Sequence, residues 1–263
     1  MTAAETFETA APAAPGTRLE ISLRPGVAFP DWPAITSEPA AGALVAILEA
    51  FGAETRWSGL GDGEDRVRRA ILETYPRIGH APSIDELALT TGFAPGQVRG
   101  LVAKLATRDM VILDRDGATI TGAYPFVDRD TEHRVHLGET VLNAMCAIDA
   151  LGTGAMLGID VIVESSCRSC GTPIRVQMRE KGAALGDYAP TDAVVWTGIQ
   201  YANSCAADSL CTVIAFFCSD QHLVTWRDAK HPGGKGFRLS MDQGLQVGKA
   251  IFTPLLAAGS ANL

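Results

Sequence analysis

The sequence predicts an α+β protein: an N-terminal winged helix-turn-helix-like module followed by a mixed or antiparallel-sheet domain flanked by helices. Three observations predict it. Helical periodicity dominates between Glu64 and Leu105, runs rich in β-branched and aromatic residues follow Gly154, and the hairpin signal Asp114-Arg-Asp-Gly117 lies between them. A chain of 263 residues, 47% hydrophobic and 20% charged, suffices for one large or two modest domains. The boundaries expected are an Ala/Pro-rich arm with a short helix over 1–62, the winged-helix-like module over 63–126, and an α+β candidate catalytic domain over 127–263.

The arm carries Pro12, Pro15, Pro25, Pro30, Pro33 and Pro39 within its first 40 positions. Such a segment buries little apolar surface against its ordering entropy, so much of it is expected to be a tail or draped arm. Leu44 to Phe51 is a short amphipathic helix ending at Gly52, and Gly59-Leu-Gly-Asp-Gly63 reads as a hinge. In the module, a first helix places Val67, Ala70, Ile71 and Tyr75 on one face and is expected to stop before Pro76. Ser83-Ile-Asp-Glu86 is a capping box opening a second helix, and Pro95 opens a third with Val98, Leu101, Val102 and Leu105 at helical spacing. The third helix offers only Arg99, Lys104 and Arg108 as cations, a thin footprint for neutralising phosphates. A net charge of −8 points the same way, so neither nucleic acid nor an anionic membrane is an expected partner.

Val127-Asp-Arg-Asp-Thr-Glu-His-Arg134 is a charged connector whose His133, with His136 close by, is expected to be solvated. Thr140 to Leu151 is expected to be one helix with Val141, Leu142, Met145, Ile148 and Leu151 on its apolar face, and Cys146 and Asp149 adjacent at i, i+3. Strands are expected at Asp160–Ser165, Ile174–Arg179, Ala193–Trp196 and Cys211–Phe217. A helix over 220–229 and a capped C-terminal helix from Ser240 through Leu256 follow.

No apolar run approaches the length of a membrane span, and the first eight residues carry acids where a secretory signal carries bases. A cytoplasmic setting follows, in which the six cysteines are expected as thiols, ligands or nucleophiles and not as disulfides. All six lie after residue 145. Cys167-Arg-Ser-Cys170-Gly has the form of a zinc knuckle, but the remaining cysteines supply no second C-x-x-C, so a complete zinc ribbon is not expected, and Cys170 reads equally as a turn residue. Cys146, Asp149 and Cys211 form the candidate site. Two thiolates from separate elements suit a soft, two-coordinate metal such as Hg(II), Cu(I) or Cd, and a carboxylate beside them can carry a thiol proton.

These residues carry a family resemblance. The order winged-helix module, Asn143-Ala-Met-Cys146-Ala-Ile-Asp149-Ala-Leu151, Ser165-Ser-Cys167 with Gly171-x-Pro173, then Cys211-Thr-Val-Ile-Ala-Phe-Phe217 resembles organomercurial (alkylmercury) lyase from about residue 64 onward. The resemblance implies protonolytic cleavage of carbon–mercury bonds, with Cys146 and Cys211 as mercury-binding thiols, Asp149 as the proton-handling ligand, and Cys167 as a structural cysteine. It implies no required cofactor, Hg(II) bound as product, and small thiols or a mercuric reductase as acceptor. The winged-helix module is then part of the enzyme. Met145 and Thr212 stand where family members often carry an aromatic residue and a further cysteine. Two other readings use the same residues: a thiol-based metal-responsive transcriptional regulator, and a non-catalytic mercury or soft-metal binding protein of the same fold.

Overall fold

The computed structural model describes residues 18–258; the first 17 positions of the arm, with Pro12 and Pro15, and the last five of the chain lie outside it. The observed architecture is mixed α/β with antiparallel sheets. It begins with a hairpin, β1 (Ile21–Arg24) and β2 (Val27–Phe29), whose alternating burial points Leu23 and Phe29 inward. Helix α1 (Glu38–Phe51) begins six residues earlier than expected and ends at Gly52, whose φ of 69° is the left-handed stop that glycine tolerates. The short α2 (Ala53–Trp57) follows. This N-terminal stretch is fastened to the C-terminal helix. The Gln246 side-chain oxygen accepts hydrogen bonds from the backbone N–H of Thr36 and Ser37 at 3.0 and 3.1 Å, and Asp31 N–H donates to the Ala250 carbonyl.

Three helices come next: α3 (Asp62–Ile78), α4 (Ile84–Thr91) and α5 (Pro95–Thr107). The first does not stop before Pro76. It runs through to Gly79, because a proline in the last turn removes a single N–H and the packing of Ile71 and Tyr75 holds the rest. The Ser83 capping box forms as read, with Ser83 N–H donating to Glu86 at 2.8 Å. The hairpin β3 (Val111–Leu113) and β4 (Ile120–Ala123) follows, its turn closed by Asp114 accepting from the N–H groups of Ala118 and Thr119.

That hairpin is the edge of a larger sheet. β5 (Phe126–Val127), β6 (Arg134–Leu137) and β7 (Thr140–Ala144) continue it. After α6 (Ala147–Leu157) come β8 (Val161–Ser166), β9 (Pro173–Arg179) and β10 (Ala184–Ala189). The eight strands run in the order β10-β9-β8-β6-β7-β5-β4-β3, antiparallel throughout. A second antiparallel sheet takes β11 (Val194–Gly198) as its centre, with β12 (Ile214–Phe217) and β13 (Gly236–Ser240) on either side. Helices α7 (Asp220–Lys230) and α8 (Met241–Leu256) complete the chain.

Three expectations are corrected. Residues 140–144 are a strand, not the first half of a helix: Leu142 and Ala144 are buried with period two, and β-branched Thr140 and Val141 favour the pleat. Cys211 does not begin a strand, because Cys211–Val213 is a 3-10 turn that delivers the chain into β12. His133 is buried, not solvated: its Nδ1 lies 2.9 Å from Ser165 Oγ, and its ring meets Phe216 edge-on.

The most extensive packing between two elements is that of α6 against α8. Gly152 and Gly248 face each other there, and a Cβ on Gly152 would stand 2.6 Å from the Gly248 carbonyl oxygen. Only glycine permits that approach, which seats α6 firmly on α8. None of the helices among the described residues is long and apolar enough to cross a membrane.

Candidate active site

Cys146 occupies the N-cap of α6, where strand β7 breaks into helix, with extended backbone at φ −151°. Asp149 is the third residue of that helix. N-cap and N3 are neighbours by the geometry of a helix start, so the i, i+3 adjacency read from the sequence survives although the preceding residues are a strand. The N-terminal end of the helix also carries partial positive charge, which favours the thiolate form of Cys146.

Cys211 arrives from the far side of the chain on the 3-10 turn. Its Sγ lies 3.7 Å from Asp149 Oδ2, donating toward it, and the ligand atoms of Cys146, Asp149 and Cys211 all fall within 4.8 Å of one another. All three are buried, with exposures of 2%, 4% and 5%. The three residues singled out in the sequence are therefore the three that the structure brings together.

Burial sets the electrostatics. Loss of water pushes the Asp149 carboxyl up from 3.8 to about 7, the two neighbouring thiols opposing that shift only in part. Burial also pushes the Cys146 thiol up, while its hydrogen bond with Cys211 works the other way. Cys211 is raised well above its ordinary value, first by that same hydrogen bond, then by burial and by the Asp149 charge. Of the two thiols, Cys146 is the one that sits at the positive end of a helix.

The site opens into a small cavity of about 60 Å³ walled by Phe29, Leu48, Phe51, Trp57 and Ile251 beside Cys146, Asp149 and Cys211. Four of those walls come from the N-terminal stretch, which sequence reading left without a role. The signal was present in the amphipathic run Leu44–Phe51, but nothing local says what its apolar face covers. A larger polar groove, about 450 Å³ and bounded by Arg24, Asp65, Arg66 and Arg69, contains no thiol and lies apart from this chemistry.

A hydrogen-bonded group missed in the sequence holds the Cys211 loop. Asp109, left-handed at φ 53°, is buried and accepts from the hydroxyls of Tyr124 and Tyr201 and from the N–H of Ala206 at 2.9–3.0 Å. Tyr124 Oη in turn accepts from Ala207 N–H, and Cys211 N–H donates to the Ala206 carbonyl at 2.8 Å. An acid following Arg108 at a helix end reads as a solvated cap residue, so only tertiary contacts reveal its role.

Of a second cluster, the sequence reading picks out only the Cys167-x-x-Cys170 half. Cys167, Cys170, Cys218 and His222 have ligand atoms within 4.8 Å of one another. The partner of Cys167-x-x-Cys170 is not another C-x-x-C but Cys218-x-x-x-His222, a spacing that was legible had histidine been counted.

Residues 126–253 match the family model described as MerB: Alkylmercury lyase. The chain is 28% identical over 184 residues to the alkylmercury lyase of Bacillus cereus, a match covering 70% of this chain and 80% of that protein. The alkylmercury lyase of Streptomyces lividans is 27% identical over 164 residues, with 62% and 72% covered. The fold is similar to the crystal structure of the mercury-bound form of MerB2, with a TM-score of 0.66 and 28% identity over 82% of this chain and 99% of that one. By sequence and by fold, the chain is similar to the alkylmercury lyases.

Proposed function

We propose that the chain cleaves carbon–mercury bonds by protonolysis, with Cys146 and Cys211 binding mercury and Asp149 relaying the proton. The observation that carries this reading is the convergence of two thiols and one carboxyl, from distant elements, in a buried apolar pocket. In the first step the Cys146 sulfur bonds to mercury of R–Hg–X, X⁻ departs, and the thiol proton leaves through Asp149. In the second, Cys211 sulfur bonds to the same mercury while its proton passes through Asp149 to the carbon. The carbon–mercury bond breaks, R–H is released, and Hg(II) remains between two thiolates. Sulfur donation from both sides weakens the bond to carbon, and a carboxyl poised at about 7 both accepts and releases a proton near neutrality. Apolar walls keep water from competing for the proton and accommodate a hydrocarbon group.

Cys211 also borders a second pocket of about 350 Å³, lined by Arg129, Glu132, Met145 and Arg168 in place of the apolar walls. Product transfer to small thiols, or to a mercuric reductase, is assigned to that pocket. The helices α3–α5 with the β3–β4 hairpin are read as a winged-helix-like part of the enzyme and not as a DNA reader. Supporting this, Arg108 is spent internally, on Glu64 at 3.1 Å and on the carbonyls of Arg56 and Ser58, and leaves Arg99 and Lys104 as the exposed cations of α5. No cofactor enters the scheme, and the placement is cytoplasmic.

The test is hydrocarbon release from phenylmercury or methylmercury in the presence of excess small thiol, read by gas chromatography. Benzene or methane should appear with turnover. Tight Hg(II) binding with no hydrocarbon would leave a metal carrier and sink the lyase reading.

A further inference from the structure

We infer that Cys167, Cys170, Cys218 and His222 form a second metal site, a four-ligand thiolate–imidazole centre suited to structural zinc. Three sulfurs and one imidazole nitrogen are a ligand set that closed, tetrahedral zinc sites use. The spacing fits too. A tetrahedral zinc with bonds of about 2.3 Å to sulfur separates two sulfurs by about 3.8 Å, and Cys170 Sγ lies 3.7 Å from Cys218 Sγ. Cys167 Sγ stands 3.8 Å from His222 Nδ1. The Cys218–His222 separation, 2.9 Å, is a hydrogen-bond length, and side-chain rotation by about half an ångström opens it to the corresponding edge of about 3.5 Å.

The backbone is shaped for the purpose. Between β8 and β9, Cys167 N–H donates to the Thr172 carbonyl and Gly171 N–H donates to the Cys167 carbonyl, both at 2.8 Å, with Gly171 left-handed at φ 75°. This tight turn aims both sulfurs of the C-x-x-C to one side. The other pair comes from the start of α7: Ser219 is its N-cap, accepting from His222 N–H, and Cys218 precedes it. A zinc ion with three thiolates carries a net charge of −1, which the positive end of α7 favours. Cys167 is buried, whereas Cys170 is exposed and Cys218 partly so, leaving an entry path for the ion.

The site would join the turn of the eight-stranded sheet to the end of β12 in the three-stranded sheet. A backbone bond already links them, Arg168 N–H to the Phe216 carbonyl at 3.1 Å. β12 leads from the Cys211 turn at one end to Cys218 at the other, about 13 Å away across four strand residues. Metal at the second site therefore braces the strand that presents Cys211, while remaining outside the mercury site.

The experiment loads the reduced full-length protein with Zn(II), removes free metal, and counts zinc per chain by atomic emission, with Co(II) as a spectroscopic substitute. One zinc per chain is expected, a cobalt spectrum of tetrahedral thiolate type, and a melting temperature several degrees above the chelated form. The Cys146→Ser/Cys211→Ser double variant should keep its zinc, and Cys170→Ser/His222→Ala, altering partly exposed side chains, should fall to background while remaining folded by circular dichroism. The inference is overturned if the wild type takes up no zinc, if the second variant retains it, or if the first variant loses it. A Cys170–Cys218 disulfide that persists by mass in reducing buffer overturns it as well.

Discussion

The two thiol clusters lie at opposite ends of β12 and differ in what decides the behaviour of sulfur. At the first, two thiols and a carboxyl are sealed from water by aromatic and aliphatic walls. At the second, three thiols and an imidazole sit at a turn and a helix start, half open to solvent, with no carboxylate among them. In the proposed reaction, two sulfurs leave a soft metal able to keep a third partner, carbon, and the acid supplies the proton that removes it. Four ligands leave no open position. Ligand number and the placement of one acid, more than sulfur itself, separate reactive from structural metal chemistry.

The sharpest break in that comparison is Cys146→Ser. Hydrocarbon release should fall roughly a thousandfold or more, as for loss of a nucleophile, while zinc content stays at one per chain. Retained turnover would remove Cys146 from the scheme. Asp149→Ala comes next: turnover should drop roughly 10²- to 10⁴-fold, the usual range for a lost proton carrier, with Hg(II) still bound by both thiols. A rate within tenfold of the wild type would show that the proton travels another way.

The pH dependence of stability tests the burial of the same acid. A carboxyl raised from 3.8 to about 7 makes the folded state hold a proton that the unfolded chain has released. Its effect is absent below about 4, grows as pH climbs through about 7, and then levels off as a cost. Asp149→Asn should therefore stabilise the protein relative to wild type by as much as about 4 kcal/mol above neutrality, and not at pH 4. Urea unfolding at the two pH values reads the difference, and a pH-independent gap would place the carboxyl in water.

Asp109→Ala strips partners from Tyr124, Tyr201 and Ala206 N–H. A loss of about 3 kcal/mol in unfolding free energy is expected, with slower hydrocarbon release because the Cys211 loop loosens. Zinc binding, at the other end of β12, should survive under native conditions. The smallest effect belongs to Cys205→Ser, a thiol in neither cluster that only approaches Asp208 at 3.6 Å. Stability should shift by about 0.5 kcal/mol or less, with turnover nearly unchanged.

Much of this was legible in the sequence because it is local. Capping boxes at Ser83 and Ser240, the Asp-Gly turn at Gly117 and the apolar periodicity of α3 and α5 each rest on a few neighbouring residues. The Cys146–Asp149 pair was legible for the same reason, even with the preceding segment misread, since a helix start joins N-cap and N3 whatever comes before. Thr140–Ala144 was misread because Val141, Leu142 and Met145 fit helical spacing, and only pairing with β5 and β6 selects the pleat.

The sequence by itself determined residue chemistry and short-range adjacency: which thiols exist, which acid sits beside one of them, and where helices begin. Tertiary structure decided everything that depends on distance along the chain. It brought Cys211 to Asp149 across 62 residues, laid Phe51 and Trp57 over the pair, set Asp109 under the Cys211 loop, and matched His222 with Cys167. The physical reason is that water exclusion and metal geometry are properties of an assembled surface. Asp149 is an ordinary acid in the sequence and becomes one that titrates near 7 only when those walls close around it.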